Sequence, residues 1–291
     1  MRRKSQILCT VLLLLIAQLG WAGDFQMKVD GKNVSLGIVP KKYPMEVQSD
    51  DVEGGKALIY SFGQKILFKS SGEHLITING DNIYGFAANP DSKNVKDIVS
   101  WGDVKWKTLE YAFTGSDLSA ISAGAGDPDL KECWSLEGTF QDCESFNGDI
   151  TGWDVKNIRN MRNTFKNAKA FAQDISGWNV QAVSDMSGMF MNATSFASTL
   201  EAWADRVQNV SDMENMFNGA TSFNYNLGIW KLKSVKKIGI GNSGISGDNY
   251  SRALMSWNVM GIENVVLDAM GLYYSDAALT ARKALEAKKW K

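Results

Sequence analysis

The stretch SFNGDITGWDV, residues 145–155, returns as AFAQDISGWNV at 170–180, as SFASTLEAWAD at 195–205 and as SFNYNLGIWKL at 222–232. Each copy keeps a phenylalanine, an aliphatic residue and a tryptophan at fixed spacing, while the residues between them change. Such a period is typical of a chain built from repeated structural units, in which each unit buries its apolar side chains against the next.

The repeat is confirmed by several apolar columns that share one spacing. The steps between equivalent residues are 25, 25 and 27, so a single insertion of two residues in the third copy explains them all. The columns are Trp153, Trp178, Trp203 and Trp230; Phe146, Phe171, Phe196 and Phe223; and Phe140, Phe165, Phe190 and Phe217.

Spacing within a unit predicts its secondary structure. Ile158, Met161, Phe165 and Ala168 lie at i, i+3, i+7 and i+10, which is one side of a short helix. The preceding segment, which contains Ile150, suits a brief strand. The sequence therefore predicts an α/β repeat solenoid with one short strand and one short helix per unit.

The pattern extends beyond the four clearest copies. Weaker copies precede them around Trp101 and Cys133, and a final one loses its core phenylalanine at Asn242. We therefore predict a solenoid over 100–243, a β-rich domain over 23–99 and a helical closing segment over 244–291. Cys133 and Cys143 occupy inward columns, which leaves free buried thiols and a disulfide as two open interpretations.

The first 22 residues predict export. Three positive charges precede an apolar run, and the small residues Gly20 and Ala22 occupy the −3 and −1 positions of a cleavage point after Ala22, as in a secretory signal peptide. The alternative is an uncleaved anchor. This segment holds three of the 31 Lys+Arg and none of the 32 Asp+Glu, so the remainder has a net charge of −4. The charge argues against nucleic-acid binding, and we expect no transmembrane segment after cleavage.

The stretch GDITGWDVKNIRNMRNTFKNAKAFAQDISGWNV, residues 148–180, resembles the BspA-like leucine-rich-repeat surface proteins of bacteria. Residues 242–258 are similar to the segment that closes such arrays, 267–285 resemble their terminal helix, and 67–86 resemble the last strands of a PKD-like β-sandwich. The resemblance implies a leucine-rich-repeat solenoid, display at the cell surface and binding of other macromolecules. It implies no particular ligand and no transferable binding residue.

Two motifs could suggest chemistry. Residues 239–244 read G-x-G-x-x-G, but they follow a fading repeat instead of lying inside a βαβ unit, which argues against a dinucleotide site. His74 is the only histidine, and its local sequence, SSGEHLITI, places it at the start of a predicted strand, whereas imidazole metal sites and catalytic triads need it among other ligands or beside a nucleophile. We predict no catalytic residue, no cofactor and no metal.

Recurrent side chains have structural alternatives to a functional role. Asp149 and Asp174 recur at the repeat period, which favours a structural role in a turn over a unique catalytic acid/base pair. Thr199 and Asn226 replace the acid in the same column, which argues against a ladder of calcium-binding carboxylates. The methionines that share a phase with the phenylalanines are expected in the core. The tryptophan column is expected to point inward, the alternative being an exposed aromatic platform for sugar or protein.

The function expected from these observations is non-catalytic binding of an extracellular protein or glycan by a secreted or cell-surface protein. Two other classes stay open, a structural component of the cell envelope and an enzyme that acts on polysaccharide. Residues beside the predicted strands are the candidate partner-binding positions, by geometry only. They form the predicted row: Asp149, Thr151, Asp174, Ser176, Thr199, Glu201 and Asn226.

Overall fold

The computed structural model describes residues 23–87 and 92–291. The predicted signal peptide, residues 1–22, lies outside the described residues. Its cleavage after Ala22, and the export that it implies, therefore stay predictions.

The described residues contain thirteen strands and two α-helices, together with short 3-10 turns. The strands are β1 (Phe25–Asp30), β2 (Asn33–Ser35), β3 (Ile38–Pro40), β4 (Met45–Gln48), β5 (Lys56–Ile59), β6 (Lys65–Leu67), β7 (Glu73–Ile78), β8 (Ile83–Phe86), β9 (Val95–Ser100), β10 (Ala120–Ile121), β11 (Asp212–Met213), β12 (Lys237–Gly239) and β13 (Val266–Asp268). The helices are α1 (Gly247–Met260) and α2 (Leu279–Ala287).

The N-terminal strands form a six-stranded sheet in the order β10-β9-β1-β7-β4-β5, with two small antiparallel pairs, β2-β6 and β3-β8. Strand β1 shows why one side faces the core, because Phe25, Met27 and Val29 are fully buried and alternate with partly exposed polar residues. Strand β9 runs across the predicted domain boundary between residues 99 and 100 and pairs with β10 beyond it. The predicted domain limits stay predictions.

The predicted fold class, an α/β solenoid with a helix in every unit, is wrong. Residues 101–246, all of which the structure describes, contain no α-helix. Each unit is instead a coil of single turns closed by i to i+3 backbone hydrogen bonds. Ile158 N donates to Val155 O at 3.0 Å and Ala168 N to Phe165 O at 3.0 Å, for example. The spacing of three residues that suggested a helix is the spacing of these separate turns.

Residues in the left-handed conformation prevent these turns from joining into a helix. One column of them contains Gly115, Asp142, Asn167, Asn192 and Gly219, with φ between 57° and 74°. A second column, four residues earlier in each coil, has φ between 53° and 64°. Left-handed residues end an α-helix, and glycine, asparagine and aspartate adopt this conformation at the lowest cost.

The hydrogen bonds that join successive coils lie in the segment that was predicted to be helical. Met161, Asn163 and Phe165 donate their N–H groups to the carbonyls of Asp185, Ser187 and Met189 in the next coil, at 2.9, 2.8 and 2.9 Å. We call the equivalent stretches of the five coils the ladder segments. They are residues 107–115, 134–142, 159–167, 184–192 and 211–219. The predicted strand around Ile150 is a turn instead, with Trp153 N bonded to Ile150 O.

The stacking of equivalent side chains is confirmed. Phe165 lies between Phe140 and Phe190, with ring centroids 5.6 Å away on each side and nearly parallel planes. Within its own coil Phe165 stacks on Phe171 at 4.0 Å. All four rings are fully buried, so the phenylalanines form two adjoining columns through one dry interior.

The inward orientation expected for the tryptophan column is also confirmed. Trp153, Trp178, Trp203 and Trp230 are each at most 3% exposed, which excludes them as a surface platform. Trp178 donates its indole N–H to the carbonyl of Ile150 in the previous coil at 3.1 Å. The aromatic core continues into the N-terminal sheet, where Trp101 packs edge-on against Trp153.

Both helices lie at the C-terminal end of the stack. Ser246 caps α1 by accepting a hydrogen bond from Asn249 N at 3.3 Å. Trp257 of α1 stacks on Trp290, which follows α2, at 5.6 Å. The parallel strands β11, β12 and β13 carry the ladder on from the fifth segment to this end.

Candidate binding surface

The outward side chains of the five ladder segments form one continuous surface, which we call the ladder face. Parallel bridges hold Ser135, Asn160, Asp185 and Asp212 in one column, and Lys237 of β12 continues it. Ser135 is fully buried, whereas the later members are partly exposed. Backbones joined by parallel bridges are about 4.8 Å apart, so side chains of successive coils can contact one ligand together. The ladder face therefore offers rows of polar groups at a regular spacing.

Turns within each ladder segment fix the side chains of this column. Asn160 Oδ1 accepts a hydrogen bond from Arg162 N at 3.0 Å. Asp185 Oδ1 accepts from both the amide and the hydroxyl of Ser187, at 2.8 and 2.6 Å, and Asp212 Oδ1 accepts from Glu214 N at 2.8 Å. These bonds leave one oxygen of each carboxylate directed away from its own turn.

A groove of about 450 Å³ crosses the ladder face between the third segment and β12. Its acidic side is largely neutralised, because Lys237 Nζ lies 2.6 Å from Glu214 and 3.4 Å from Asp212. Met191 supplies the one apolar side chain in a lining that is otherwise polar, charged or glycine. The groove therefore suits a ligand that is rich in hydrogen-bonding groups.

Three cations on the ladder face lack ion-pair partners. Residues 107–230, all of which the structure describes, hold eight Lys+Arg. Four of these make ion pairs, and Arg206 donates to the carbonyl of Trp178 at 2.9 Å. The remaining three, Arg159, Arg162 and Lys166, all belong to the third ladder segment. Arg162 and Lys166 line the groove.

Trp134 is the exception among the tryptophans. Of the nine that the structure describes, eight are buried, whereas Trp134 is 51% exposed. It precedes Arg159 in one column of the ladder face, and its carbonyl accepts a hydrogen bond from Arg159 N at 2.8 Å. A half-exposed indole is therefore held beside the segment that carries the unpaired cations.

The predicted row lies on a different part of the coil, where most of its side chains complete turns. Asp149 Oδ1 accepts hydrogen bonds from Thr151 N and Oγ1, and Asn226 Oδ1 accepts from Gly228 N at 2.9 Å. Asp174 Oδ1 accepts from Ser176 N at 3.0 Å. Thr199 and Glu201 are exposed. The row thus follows the coil surface as expected, and its role in binding stays a prediction.

The turn bonds also set the protonation of these carboxyl groups. The amide and hydroxyl of Thr151 lower the pKa of Asp149, and the same groups of Ser176 lower the pKa of Asp174. Both side chains are therefore carboxylates at neutral pH. Across residues 23–87 and 92–291, no group of three or more His, Cys, Asp and Glu side chains is placed to hold a metal ion.

Tyr111 marks the N-terminal end of the ladder face. Its hydroxyl donates to Glu137 Oε1 at 2.5 Å, and Asn160 Nδ2 donates to the other oxygen of the same carboxylate at 2.8 Å. Burial, together with the bond to Glu137, raises the pKa of Tyr111 to about 12. Both oxygens of Glu137 are consequently occupied, although this residue is the column neighbour of Arg162.

Cys133 and Cys143, the two cysteines among the described residues, are free thiols in the core. Cys143 Sγ donates to Phe113 O at 2.8 Å and also contacts Ser116 Oγ, and both thiols are at most 1% exposed. Burial raises the pKa of Cys133 to about 11 and that of Cys143 to about 12. The structure therefore selects free thiols over a disulfide, and these thiols are poor nucleophiles.

The remaining motifs have structural roles. A Cβ at Gly239 would overlap the backbone of Asn215, and one at Gly244 would overlap the carbonyl of Thr221, so these glycines allow neighbouring coils to approach. His74, near the start of β7, stacks on Phe68 at 4.0 Å and lies 3.4 Å from Asp51. Met161, Met186 and Met213 are buried, as expected of core residues.

The ladder face was not predicted from the sequence, because its segments were assigned to helices. The signal that could have revealed it is the recurrence of glycine, asparagine and aspartate at left-handed positions. Their amides form a ladder of their own, since Asn192 Nδ2 donates to Asn167 Oδ1 at 2.9 Å and Asn167 Nδ2 donates to Asp142 Oδ1 at 2.5 Å.

Comparison with known proteins adds one match. The family model described as "Mycoplasma protein of unknown function, DUF285" matches residues 107–230 and 134–257, which together span just over half of the chain. No curated protein and no solved structure matches the sequence. In the part of the chain that the structure describes, no helix has the length and apolar character needed to span a membrane.

Proposed function

The chain belongs to the family described as Mycoplasma protein of unknown function, DUF285, and from that premise we propose that it is a non-catalytic binding protein. Its ladder face contacts an extracellular protein or glycan. The matched residues coincide with the ladder segments, so the family's shared feature and the proposed binding surface lie in the same part of the chain.

We also propose that the protein is displayed at the cell surface, because its repeats resemble those of BspA-like leucine-rich-repeat surface proteins. Its support is the basic and apolar character of residues 1–22 and the repeat columns themselves. A PKD-like domain before the repeats belongs to the same proposal, supported by the strand-rich chain from Phe25 to Ser100. No cofactor takes part.

The observation that carries the proposal is the group formed by exposed Trp134 and the unpaired cations of the third ladder segment. Tryptophan and arginine are the residues most enriched among those that dominate binding energy. An ordinary repeat surface would show the pattern of the nearby lysines Lys131, Lys156 and Lys169, each of which lies within 4 Å of a carboxylate. Cations left unpaired beside an indole are available to a partner.

A binding screen tests the proposal. Purified protein is passed over an array of extracellular-matrix proteins and glycans, and each positive is measured again with two variants. The first, the ladder-face variant, combines Trp134→Ala and Arg162→Ala. The second, the row variant, combines Thr199→Ala and Glu201→Ala. These are exposed members of the predicted row whose side chains do not close a turn.

Specific binding of the wild type, weakened about tenfold or more by the ladder-face variant and unchanged by the row variant, is the expected result. Loss confined to the row variant would assign binding to the predicted row instead. Positives that both variants bind like the wild type, or turnover of a glycan on the array, would contradict the proposal.

A further inference from the structure

The chemistry of the ladder face narrows the class of partner, on the premise that this surface is the binding surface proposed above. The third ladder segment concentrates positive charge in a chain whose overall charge is slightly negative. Arg159 and Arg162 are exposed and Lys166 is half-buried, and none of the three makes an ion pair within residues 107–230.

The neighbours of these cations in the adjacent coils leave them available. Ser184 follows Arg159 in its column, and its amide donates to the carbonyl of Arg159 at 2.9 Å instead of contacting the guanidinium. Met191, the column neighbour of Lys166, is uncharged. Glu137 is the acidic column neighbour of Arg162, but its carboxylate accepts from Tyr111 and Asn160 and makes no ion pair with Arg162.

An anion is the ligand that three available cations favour. A guanidinium group binds the two oxygens of a carboxylate or sulfate side by side, and an unpaired surface arginine loses little hydration in doing so. Asp185 and the acids paired with Lys237 lie farther along the groove. There they can accept hydrogen bonds from hydroxyl groups, so charge recognition lies at one end and hydroxyl recognition at the other.

The remaining features favour a polysaccharide over a peptide. The groove has a single apolar residue, Met191, and so lacks the apolar pockets in which peptide side chains are usually bound. Trp134 instead offers a half-exposed flat indole beside Arg159, a surface against which the C–H face of a sugar ring can stack.

We propose that the ladder face binds an acidic polysaccharide that bears uronate or sulfate groups. Trp134 stacks on one sugar ring, Arg159 and Arg162 pair with the anionic groups, and Lys166 adds positive charge at the edge of the groove. Ring hydroxyls of the following residues reach Asp185 and Asn163.

Affinity measurements with four purified polymers test the proposal: a polyuronate, a sulfated glycosaminoglycan, neutral dextran and poly-glutamate. The three-cation variant combines Arg159→Ala, Arg162→Ala and Lys166→Ala. The matched control combines Lys131→Ala, Lys156→Ala and Lys169→Ala, which removes the same charge from positions that already make ion pairs. Circular dichroism verifies that each variant is folded.

At least one acidic polysaccharide is expected to bind, and dextran and poly-glutamate to bind at least about tenfold more weakly. The three-cation variant should lose about thirtyfold or more in affinity, because the binding contributions of separate charges add as free energies. The matched control should lose no more than about threefold. Trp134→Phe should remove the shift in fluorescence that accompanies binding. Affinity should also fall as salt is raised, because these charges are exposed.

Equal losses in the two triple variants would reduce the effect to overall charge and overturn the inference. So would tighter binding of poly-glutamate, which would identify an acidic peptide as the partner. If a neutral glycan or a matrix protein binds through the ladder face while both acidic polysaccharides fail, this inference falls and the proposed function stands. If no polymer and no array member depends on the ladder face, both fall.

Discussion

Replacement of Phe165 by alanine probes the stacked interior at its centre. The ring is fully buried and has three stacked neighbours, Phe140, Phe171 and Phe190, at 5.6, 4.0 and 5.6 Å. A buried phenylalanine replaced by alanine costs about 3–5 kcal/mol through lost transfer energy and the cavity left behind. Each aromatic pair adds about 0.5–1.5 kcal/mol, which places this site near the upper end, at about 5 kcal/mol.

Urea unfolding followed by far-UV circular dichroism measures that loss. Trp134→Ala is the matched control, because it also removes an aromatic ring but from a half-exposed position. It should lower the free energy of unfolding by no more than about 0.5 kcal/mol. Repeat arrays can unfold in parts, so amide hydrogen exchange provides a second reading. Protection in the coils on both sides of Phe165 should fall together.

A loss below about 1.5 kcal/mol for Phe165→Ala would refute the reasoning, since a ring stacked on three others in a dry core cannot be removed so cheaply. A loss equal to that of Trp134→Ala would do the same. Loss of protection confined to the coil of Phe165 would show that the coils do not share one interior.

The remaining predictions concern individual side chains. Asn192→Ala should destabilise the fold by about 1–2 kcal/mol more than Asn192→Gly in urea unfolding, because φ is 57° there and only glycine avoids the strain. Cys133 and Cys143 should resist a thiol reagent until the protein unfolds. Burial raises the pKa of both thiols in the folded protein, so they stabilise the fold fully below the ordinary thiol pKa of about 8.5 and less as pH rises above it. The free energy of unfolding of the wild type should therefore fall above that pH relative to the double alanine variant. In protein that begins at residue 23, Trp134→Phe should abolish the tryptophan fluorescence that iodide quenches, and a quenched fraction that survives would place another indole at the surface. The pKa of Asp149 is lowered in the folded protein, so its carboxylate stabilises the fold above the ordinary carboxyl pKa of about 4 and this contribution is lost as pH falls. In Asp149→Asn the free energy of unfolding should therefore decrease less as pH is lowered below about 4 than it does in the wild type.

The repeat and its core could be read from the sequence, whereas the secondary structure of each unit could not. Columns such as Phe140, Phe165 and Phe190 keep their spacing because each ring must fill the same place in every coil, so the interior follows from the period alone. A spacing of three residues, however, is common to a helix and to a row of single turns. Asn163 and Asn167 decide between them, because two left-handed residues four apart forbid the helix.

The candidate site depended on that choice. If the ladder segments are helices, the strand of each unit lies around Ile150 and its equivalents, and the candidate binding residues lie beside that strand, in the predicted row. Asp149 recurs there because its carboxylate closes a turn with Thr151. Arg162 and Trp134 break the repeat pattern, and only the register of the ladder shows that they lie near one another.

Direct detection of a hydrogen bond between coils tests the central claim, that the repeats stack through a parallel ladder instead of folding into helices. On deuterated protein, NMR scalar coupling across hydrogen bonds identifies the carbonyl that each amide contacts. The structure predicts coupling between the amide nitrogen of Phe165 and the carbonyl carbon of Met189, 24 residues later. Coupling from Phe165 to the carbonyl of Met161, one helical turn earlier, would contradict the account.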